Sequence, residues 1–269
     1  MQENGNNGYI CICMYKQLIS LFNRDTAFRI MKGQIRMLGK IPFARALIRM
    51  GHKSKSSKLE REVLGLKLSN PIGLGPGLDK KGQLYNTLYD FGFSFTDIGP
   101  VSLANVKTII SNLQSNPADP VIGMCINKDH AKVFSLAYDF ADFFDMEIPD
   151  SDTEKVLDEI FNIRLAYENY KPVLLRLTHD LPQEQLEKIL SFALMGGIDG
   201  FVVAKSDNVR RVYDYTKGRF PIIGYGGIRT PEMAREILDA GAQLLEVTTG
   251  LVLDGPNLAR KLLRHLYSQ

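Results

Sequence analysis

The feature that most limits the fold is an eightfold alternation of short apolar runs with longer helical patterns, from residue 72 to residue 266. Apolar runs of this length suit strands buried on both faces, which form parallel sheets covered by helices. The sequence therefore predicts an α/β protein, and a (β/α)8 TIM barrel rather than an open doubly wound sheet. The predicted strands are 72–75, 93–98, 121–126, 143–148, 173–178, 201–204, 222–225 and 244–248. The predicted helices are 81–91, 105–113, 131–140, 153–170, 183–195, 209–216, 231–240 and 257–266.

Glycine and threonine residues end the seventh and eighth predicted strands. In a TIM barrel the loops after these strands often hold a phosphate group, at the face where the carboxyl ends of the strands meet. Gly226 and Gly227 lack Cβ atoms, so their backbone N–H groups can approach an anion closely. Thr248, Thr249 and Gly250 end the neighbouring strand. The spacing indicates a phosphate site between the two loops, although a tight turn from strand to helix also explains the glycine pair.

Composition excludes several classes of protein. The 269 residues are 45% hydrophobic and 23% charged, as in a globular protein with a sizeable core. The apolar run 9–22 is interrupted by polar residues and is shorter than the roughly 20 residues that a membrane-spanning helix needs. We find no signal-peptide pattern, and no paired ligand spacing among the three cysteines, Cys11, Cys13 and Cys125. We therefore expect a cytoplasmic setting. We predict no metal site, because candidate ligands are scattered along the chain: His130, His179 and His265.

The charge of the chain is unevenly distributed. Residues 15–58 contain 11 Lys or Arg and one acidic residue, whereas residues 59–269 contain 22 basic and 28 acidic residues. In the first segment apolar residues recur at helical spacing among the basic ones, which predicts basic amphipathic helices. These helices either lie on an anionic membrane surface or pack on the rest of the protein. We do not favour nucleic-acid binding, since no binding motif accompanies the charge. The polar stretch 51–58 predicts a linker, with a domain boundary near residue 58.

Three stretches resemble a known enzyme family. The stretches "SNPIGLGPGLDKKGQLYNTLYDFGFSFTDIGPVS" and "PIIGYGGIRTPEMAREILDAGAQLLEVTTGLVLDGP" resemble the first and last barrel strands of dihydroorotate dehydrogenases. "LFNRDTAFRIMKGQIRMLGKIP" resembles the helical extension of the class 2 branch, which is membrane-associated and reduces quinone. The resemblance is strong at both ends of the chain and weak from about residue 103 to residue 206.

The resemblance implies a barrel that binds FMN, oxidises dihydroorotate to orotate in pyrimidine synthesis and passes electrons to a quinone. It also favours peripheral membrane attachment, on the cytoplasmic face, through the basic helices of residues 1–58, which in this family form the quinone tunnel. The remaining residues, 59–269, would form the FMN barrel. Carried over by position, the family's flavin contacts fall on Gly75, Pro76, Gly77 and Lys80. Its phosphate contacts fall on Gly226, Gly227, Thr249 and Gly250.

The middle of the chain departs from the family pattern. The family ends its fourth strand with asparagines and a catalytic serine, but this chain has "MEIPDSD", with Glu147 at the first asparagine position. On an ungapped reading Asp150 takes the position of the catalytic base. Arg176 replaces a lysine near the flavin, Cys125 replaces an asparagine, and Lys205 lies where a neutral amide is usual.

Two functions are compatible with these residues. In the first, the chain is an FMN-dependent dehydrogenase for dihydroorotate or an altered substrate, with Asp150 as the base and Arg176 near the flavin. In the second, the chain is a catalytically silent relative that binds a phosphate or FMN, or that acts as an interaction protein at a membrane surface.

Overall fold

The computed structural model describes residues 22–52, 57–178, 180–195 and 197–267. Nearly all of the apolar run 9–22, the cysteines Cys11 and Cys13, His179 and residues 53–56 of the predicted linker lie outside these ranges.

Eight parallel strands form a barrel, as the alternation predicts. Their order is β3-β10-β9-β8-β7-β6-β5-β4. The barrel closes between the first and last strands of this order, where Leu74 and Thr96 form a parallel bridge. There Leu74 N donates to Phe95 O at 3.0 Å and Asp97 N donates to Leu74 O at 2.8 Å. The strands are β3 (Ile72–Gly73), β4 (Phe95–Val101), β5 (Val121–Ile126), β6 (Phe143–Met146), β7 (Val173–Leu177), β8 (Gly200–Ala204), β9 (Ile222–Tyr225) and β10 (Leu244–Glu246). The predicted (β/α)8 fold is confirmed.

A hairpin that the sequence analysis did not predict closes the amino-terminal end of the barrel. Its strands, β1 (Arg61–Val63) and β2 (Leu66–Leu68), pair antiparallel. Val63 and Leu68 are buried against a ring of apolar side chains inside the barrel: Phe95, Phe143, Leu174, Val202, Ile223 and Leu244. Three-residue strands with exposed charged residues are too short to show an apolar pattern, which is why the sequence does not reveal them.

Helices cover the outside of the barrel and form the larger core with the outer faces of the strands. They are α3 (Tyr85–Asp90), α4 (Val106–Ser115), α5 (His130–Ala137), α6 (Thr153–Arg164), α7 (Gln183–Met195), α8 (Ser206–Thr216), α9 (Pro231–Asp239), α10 (Thr249–Asp254) and α11 (Leu258–Tyr267). α9 begins where its sequence predicts, because the Thr230 hydroxyl accepts from Met233 N at 3.3 Å and Pro231 occupies the first turn. The short helix α10 was not predicted.

The helix α3 begins four residues later than its periodicity predicts. The buried carboxylate of Asp79 accepts hydrogen bonds from the backbone N–H groups of Gln83, at 2.9 Å, and Leu84, at 2.8 Å. These bonds hold the chain as a turn before Tyr85.

Two further helices precede the barrel and pack on it. α1 (Arg24–Gly39) begins at the N-cap Asn23, whose side chain accepts from Thr26 N at 2.9 Å. Its buried residues recur every four positions, at Ala27, Met31 and Ile35, and they join the outer core. α1 lies against α3 and α10. In the described residues, no helix is long and apolar enough to span a membrane.

The helix α2 (Pro42–His52) is attached to the barrel through ion pairs. The fully buried carboxylate of Asp90 accepts from Arg45 Nε at 2.6 Å and from Arg49 Nε at 2.7 Å. On the opposite side, Phe43 and Met50 leave 74% and 82% of their surface exposed. α2 therefore has one face bound to the barrel and one apolar face open to its surroundings.

Candidate active site at the mouth of the barrel

A cavity of about 730 Å³ lies at the carboxyl ends of the strands, between the barrel and α1. This end of a TIM barrel carries the active sites of its enzymes, and the volume is in the range of cofactor and ligand sites. The lining residues are Asp25, Phe28, Arg29, Lys32, Pro76, Gly77, Leu78, Lys80, Glu147, Arg176, Thr178, Tyr225, Gly226, Gly227, Glu246, Thr248 and Thr249.

Most of the residues that the sequence predicts for the site line this cavity: Pro76, Gly77, Lys80, Arg176, Gly226, Gly227, Thr248 and Thr249. Gly75 and Gly250 are buried behind its wall. A Cβ atom on Gly75 would lie 2.8 Å from Glu246 Oε2, and one on Gly250 would lie 2.1 Å from Ile228 O. These two glycines are therefore required for packing. Asp150 begins a short 3₁₀ turn, Asp150–Asp152, and in this loop it is Glu147 that lines the cavity.

The wall next to α1 is positively charged. Arg29 and Lys32 on α1 line the cavity together with Lys80 from the loop after β3. Partial burial lowers the pKa of Lys32; the carboxylate of Asp79 opposes this shift, and the nearby charges of Lys81, Lys80 and Arg36 add to it. Asp79 and the lining residue Asp25 offset only part of this positive charge, so the wall is a favourable place for an anion.

The backbone beside this wall is open. Gly226 and Gly227 are exposed and have positive φ angles of 129° and 74°. A Cβ on Gly227 would meet nothing within 4 Å, so there is free space next to its backbone. Thr248 and Thr249, from the end of the adjacent β10 and the start of α10, face the same cavity. An anion in this space has backbone N–H groups, hydroxyls and cations around it.

The floor of the cavity is made by a buried cluster of charged side chains inside the barrel. Arg176 on β7 donates from Nη2 to Glu246 Oε2 at 2.8 Å and to Asp97 Oδ2 at 3.2 Å, and it also bonds the carboxylate of Asp145. The guanidinium lies over the ring of Tyr225, 4.9 Å from its centroid. All four charged side chains are at most 4% exposed.

Burial and mutual repulsion shift the pKa values of these carboxyls upwards. The pKa of Asp97 is raised well above its usual value by burial, by Asp145 and by Glu246. Burial raises the pKa of Glu246 to about 7, although Arg176 acts against that rise. Among the described residues, three carboxylate oxygens of the cluster have no hydrogen-bond partner: Asp97 Oδ1, Asp145 Oδ1 and Glu246 Oε1. The cluster therefore has more acceptors than donors, and protonation relieves part of the excess negative charge.

Sequence reasoning identified Arg176 but missed its three acidic partners. Each acid lies two residues after a residue of the apolar ring, as in Phe95–Asp97 and Phe143–Asp145, and therefore points into the barrel as well. A charged residue inside an apolar strand is the signal that identifies them. Asp97, Asp145 and Cys125 also bring their ligand atoms within 4.8 Å of one another. Arg176, however, already supplies positive charge to both acids of this group.

The comparisons with known proteins agree with one another and together cover most of the chain. A family model described as "Dihydroorotate dehydrogenase" matches residues 147–269. The dihydroorotate dehydrogenase (quinone) of Christiangramia forsetii is 28% identical over 334 residues, covering 92% of this chain and 97% of the relative. That of Hamiltonella defensa is 25% identical over 289 residues, covering 76% of this chain and 86% of the relative. The first alignment is longer than the chain itself, so that relative contains internal segments which this chain lacks.

Solved structures support the fold. The ligand-free type DHODH from Eimeria tenella superposes with a TM-score of 0.77 at 18% identity, covering 91% of this chain and 94% of that one. The complex of the Eimeria tenella enzyme with ferulenol gives a TM-score of 0.72, covering 82% and 88%. The family match over residues 147–269 and the curated relatives show that the chain is similar to dihydroorotate dehydrogenases, among relatives named as quinone enzymes.

Proposed function

We propose that the chain is an FMN-dependent oxidoreductase of the dihydroorotate dehydrogenase type, which oxidises dihydroorotate or a related substrate and passes electrons to a quinone. The observation that carries this proposal is the cavity at the carboxyl ends of the strands, with a glycine and threonine wall at one side and a buried guanidinium in its floor. The names of the curated relatives support the reaction type.

The phosphate end of FMN fits the residues around Gly226 and Gly227. Their backbone is exposed, and the space beside Gly227 is empty of side chains. Thr248 and Thr249 add hydroxyls, and Lys32 adds a half-buried cation whose lowered pKa an anion would restore. We therefore assign the FMN phosphate to this wall.

The ring end of the flavin would lie over Arg176. FMN, when bound, supplies an acceptor for two electrons from the reduced substrate. Arg176 brings a guanidinium to this end of the cavity, where three carboxylates share its charge. Oxidation of dihydroorotate also releases a proton, so the chain must offer a base. Asp150 remains our predicted base, and Glu147, in the same loop, is a carboxylate that lines the cavity.

Quinone access and membrane attachment are assigned to the two helices before the barrel. Phe43, Leu47 and Met50 lie at helical spacing on α2, and each is more than half exposed. Met37 and Ile41 extend this apolar surface towards α1. Together with the basic charge of residues 15–58, this surface supports peripheral binding to an anionic membrane, which we place on the cytoplasmic side.

A silent binding protein is the second candidate, and two observations favour it. Arg176 is fully engaged by three carboxylates, so it is poorly placed to stabilise negative charge that develops on a flavin. The described lining residues also include no Asn or Ser, the residue types that the family pattern places there. In this case the cavity binds FMN or another phosphate compound without turnover.

Purified full-length protein separates the two candidates. We expect a flavin spectrum, or uptake of added FMN followed by fluorescence quenching, and bleaching by dihydroorotate that decylubiquinone reverses. Uptake of FMN without bleaching supports the silent protein. Failure to take up FMN rejects both the dehydrogenase and a silent protein that binds FMN. Gly227→Asp places a carboxylate in the proposed phosphate space and should weaken FMN binding at least about 100-fold. Gly33→Asp, on an open part of α1, is the matched control.

Membrane attachment has its own test. We expect the full chain to sediment with vesicles that contain anionic lipids. The triple variant Phe43→Ser, Leu47→Ser, Met50→Ser should lose most of this binding, because it removes the exposed apolar surface. Leu165→Ser, Met195→Ser changes equally exposed residues elsewhere and should leave binding intact. Equal binding of the triple variant and this control would rule out α2 as the contact surface.

A further inference from the structure

The two sides of the cavity carry opposite charge. Arg29, Lys32 and Lys80 stand next to the wall assigned to a phosphate and outnumber the single carboxylate that lines this side, Asp25. Glu147 and Glu246 line the other part, which we call the acidic floor, and Asp97 and Asp145 lie directly beneath it. A ligand that spans the cavity thus meets cations at one end and carboxylates at the other.

Arg176 does not make the acidic floor neutral. It is bonded to Asp97, Asp145 and Glu246 at once, so its single positive charge is shared among three carboxyls. Burial raises the pKa of Asp97 well above the usual value and that of Glu246 to about 7. Above that pH, protonation of Asp97 alone leaves the carboxyl groups of Asp145, Glu246 and Glu147 against one guanidinium. Even in that state the floor keeps an excess of negative charge.

The acidic floor also has free hydrogen-bond acceptors. Glu246 lines the cavity and accepts from Arg176 through Oε2, whereas its Oε1 is enclosed and has no hydrogen-bond partner among the described residues. The side chain of Glu147 is half-buried and makes no hydrogen bond or ion pair with any residue that the structure describes. Because the carboxylate of Glu147 faces the cavity without such a partner, it favours a ligand that brings hydrogen-bond donors.

We propose that the acidic floor binds a ligand group that donates hydrogen bonds or carries positive charge, such as an amine or amidine on a flat heterocycle, and that it discriminates against a carboxylate. This inference rests on the proposed function, because it names the substrate class of the same site. It means that the preferred substrate is an amino-bearing relative of dihydroorotate, with no anionic group at the end that faces Glu147.

Simple electrostatics sets the size of the effect. A carboxylate held about 5 Å from Glu147, at an effective dielectric constant of about 20, binds roughly 100-fold more weakly than a neutral group. A protonated amine at the same place gains a comparable factor before the cost of removing its water is subtracted.

Three ligands with the same ring test the inference: orotate, uracil and 6-(aminomethyl)uracil. Their substituents at one ring position are anionic, absent and cationic. We would measure their affinities by calorimetry at pH 8, on the full chain with and without added FMN. We expect 6-(aminomethyl)uracil to bind at least about 100-fold more tightly than orotate, with uracil in between. Glu147→Gln should narrow this gap by at least about tenfold, whereas Glu168→Gln, an exposed control, should not change it.

Each outcome has a definite meaning. The inference is overturned if orotate binds as tightly as the amine, if none of the three ligands binds, or if Glu147→Gln leaves the gap unchanged. FMN uptake together with tight orotate binding would overturn the inference and keep the proposed function. The predicted order of ligands without any FMN uptake would support the acidic floor and reject the flavin function.

Discussion

Removing the guanidinium of Arg176 should destabilise the protein in a way that depends strongly on pH. Arg176→Met keeps a long apolar side chain but leaves Asp97, Asp145 and Glu246 buried without a cation. Breaking a buried ion pair by removing one partner typically costs about 3–5 kcal/mol, because an uncompensated charge remains in the interior. We expect a loss of that size in the free energy of unfolding at pH 8, measured by urea denaturation.

The loss should shrink as the pH falls. Arg176 opposes the rise in the pKa of Asp97 and of Glu246, so its removal raises both pKa values further. A carboxyl whose pKa is higher in the folded protein than in the unfolded chain stabilises the fold at low pH. That stability is lost as the pH rises through the folded pKa, which for Glu246 is already about 7 with Arg176 present. At pH 5 both carboxyls bind a proton, and the loss should fall to about 1–2 kcal/mol.

Two controls make this prediction sharp. Arg264→Met changes an exposed arginine on α11 and should cost less than about 0.5 kcal/mol at either pH. Adding Glu246→Gln to Arg176→Met removes one of the stranded charges and should restore at least about 1 kcal/mol at pH 8. A loss below about 1 kcal/mol at pH 8, or an equal loss at both pH values, would refute the assignment of Arg176 as the counter-ion of three buried carboxylates.

Three other substitutions test separate parts of the structure. Gly75→Ala places a Cβ 2.8 Å from Glu246 Oε2 and should lower the free energy of unfolding, measured in urea, by about 1–3 kcal/mol. Gly33→Ala, at a position with open space for a Cβ, should not destabilise the protein, and equal effects of the two changes would contradict the tight packing at Gly75. Asp90→Asn weakens the two ion pairs that hold α2, so it should lower the free energy of unfolding by about 1–3 kcal/mol and speed tryptic cleavage after Arg45. The control Asp119→Asn changes a carboxylate that is 46% exposed and should cost less than about 1 kcal/mol. Lys205 has φ 67° and ψ 147°, a strained conformation for a residue with a Cβ, so Lys205→Gly should gain about 1 kcal/mol and Lys205→Ala should gain nothing.

The fold could be predicted from the sequence because the pattern that indicates it is long and repeated. Eight apolar runs separated by helical patterns leave few arrangements other than a closed parallel barrel, and errors of a few residues at each end do not change that conclusion. The hairpin β1–β2 was missed, since two strands of three residues show no period, and only the ring of side chains that it covers explains its apolar residues.

Only part of the candidate site could be predicted from the sequence. Gly226, Gly227 and the threonines after β10 are visible because loop position and residue type coincide in the sequence. The partners of Arg176 are not visible in this way. Asp97, Asp145 and Glu246 are 79, 31 and 70 residues away along the chain, and they meet it only through the register of four strands. Register depends on closure of the whole barrel, which no local pattern encodes.

The hairpin that closes the amino-terminal end has a consequence for how protons move. With that end filled by apolar side chains, the cavity at the mouth is the described opening next to the buried carboxyls. A ligand bound there would cover this opening. We therefore expect the buried carboxyls to exchange protons with the solution more slowly until the ligand leaves.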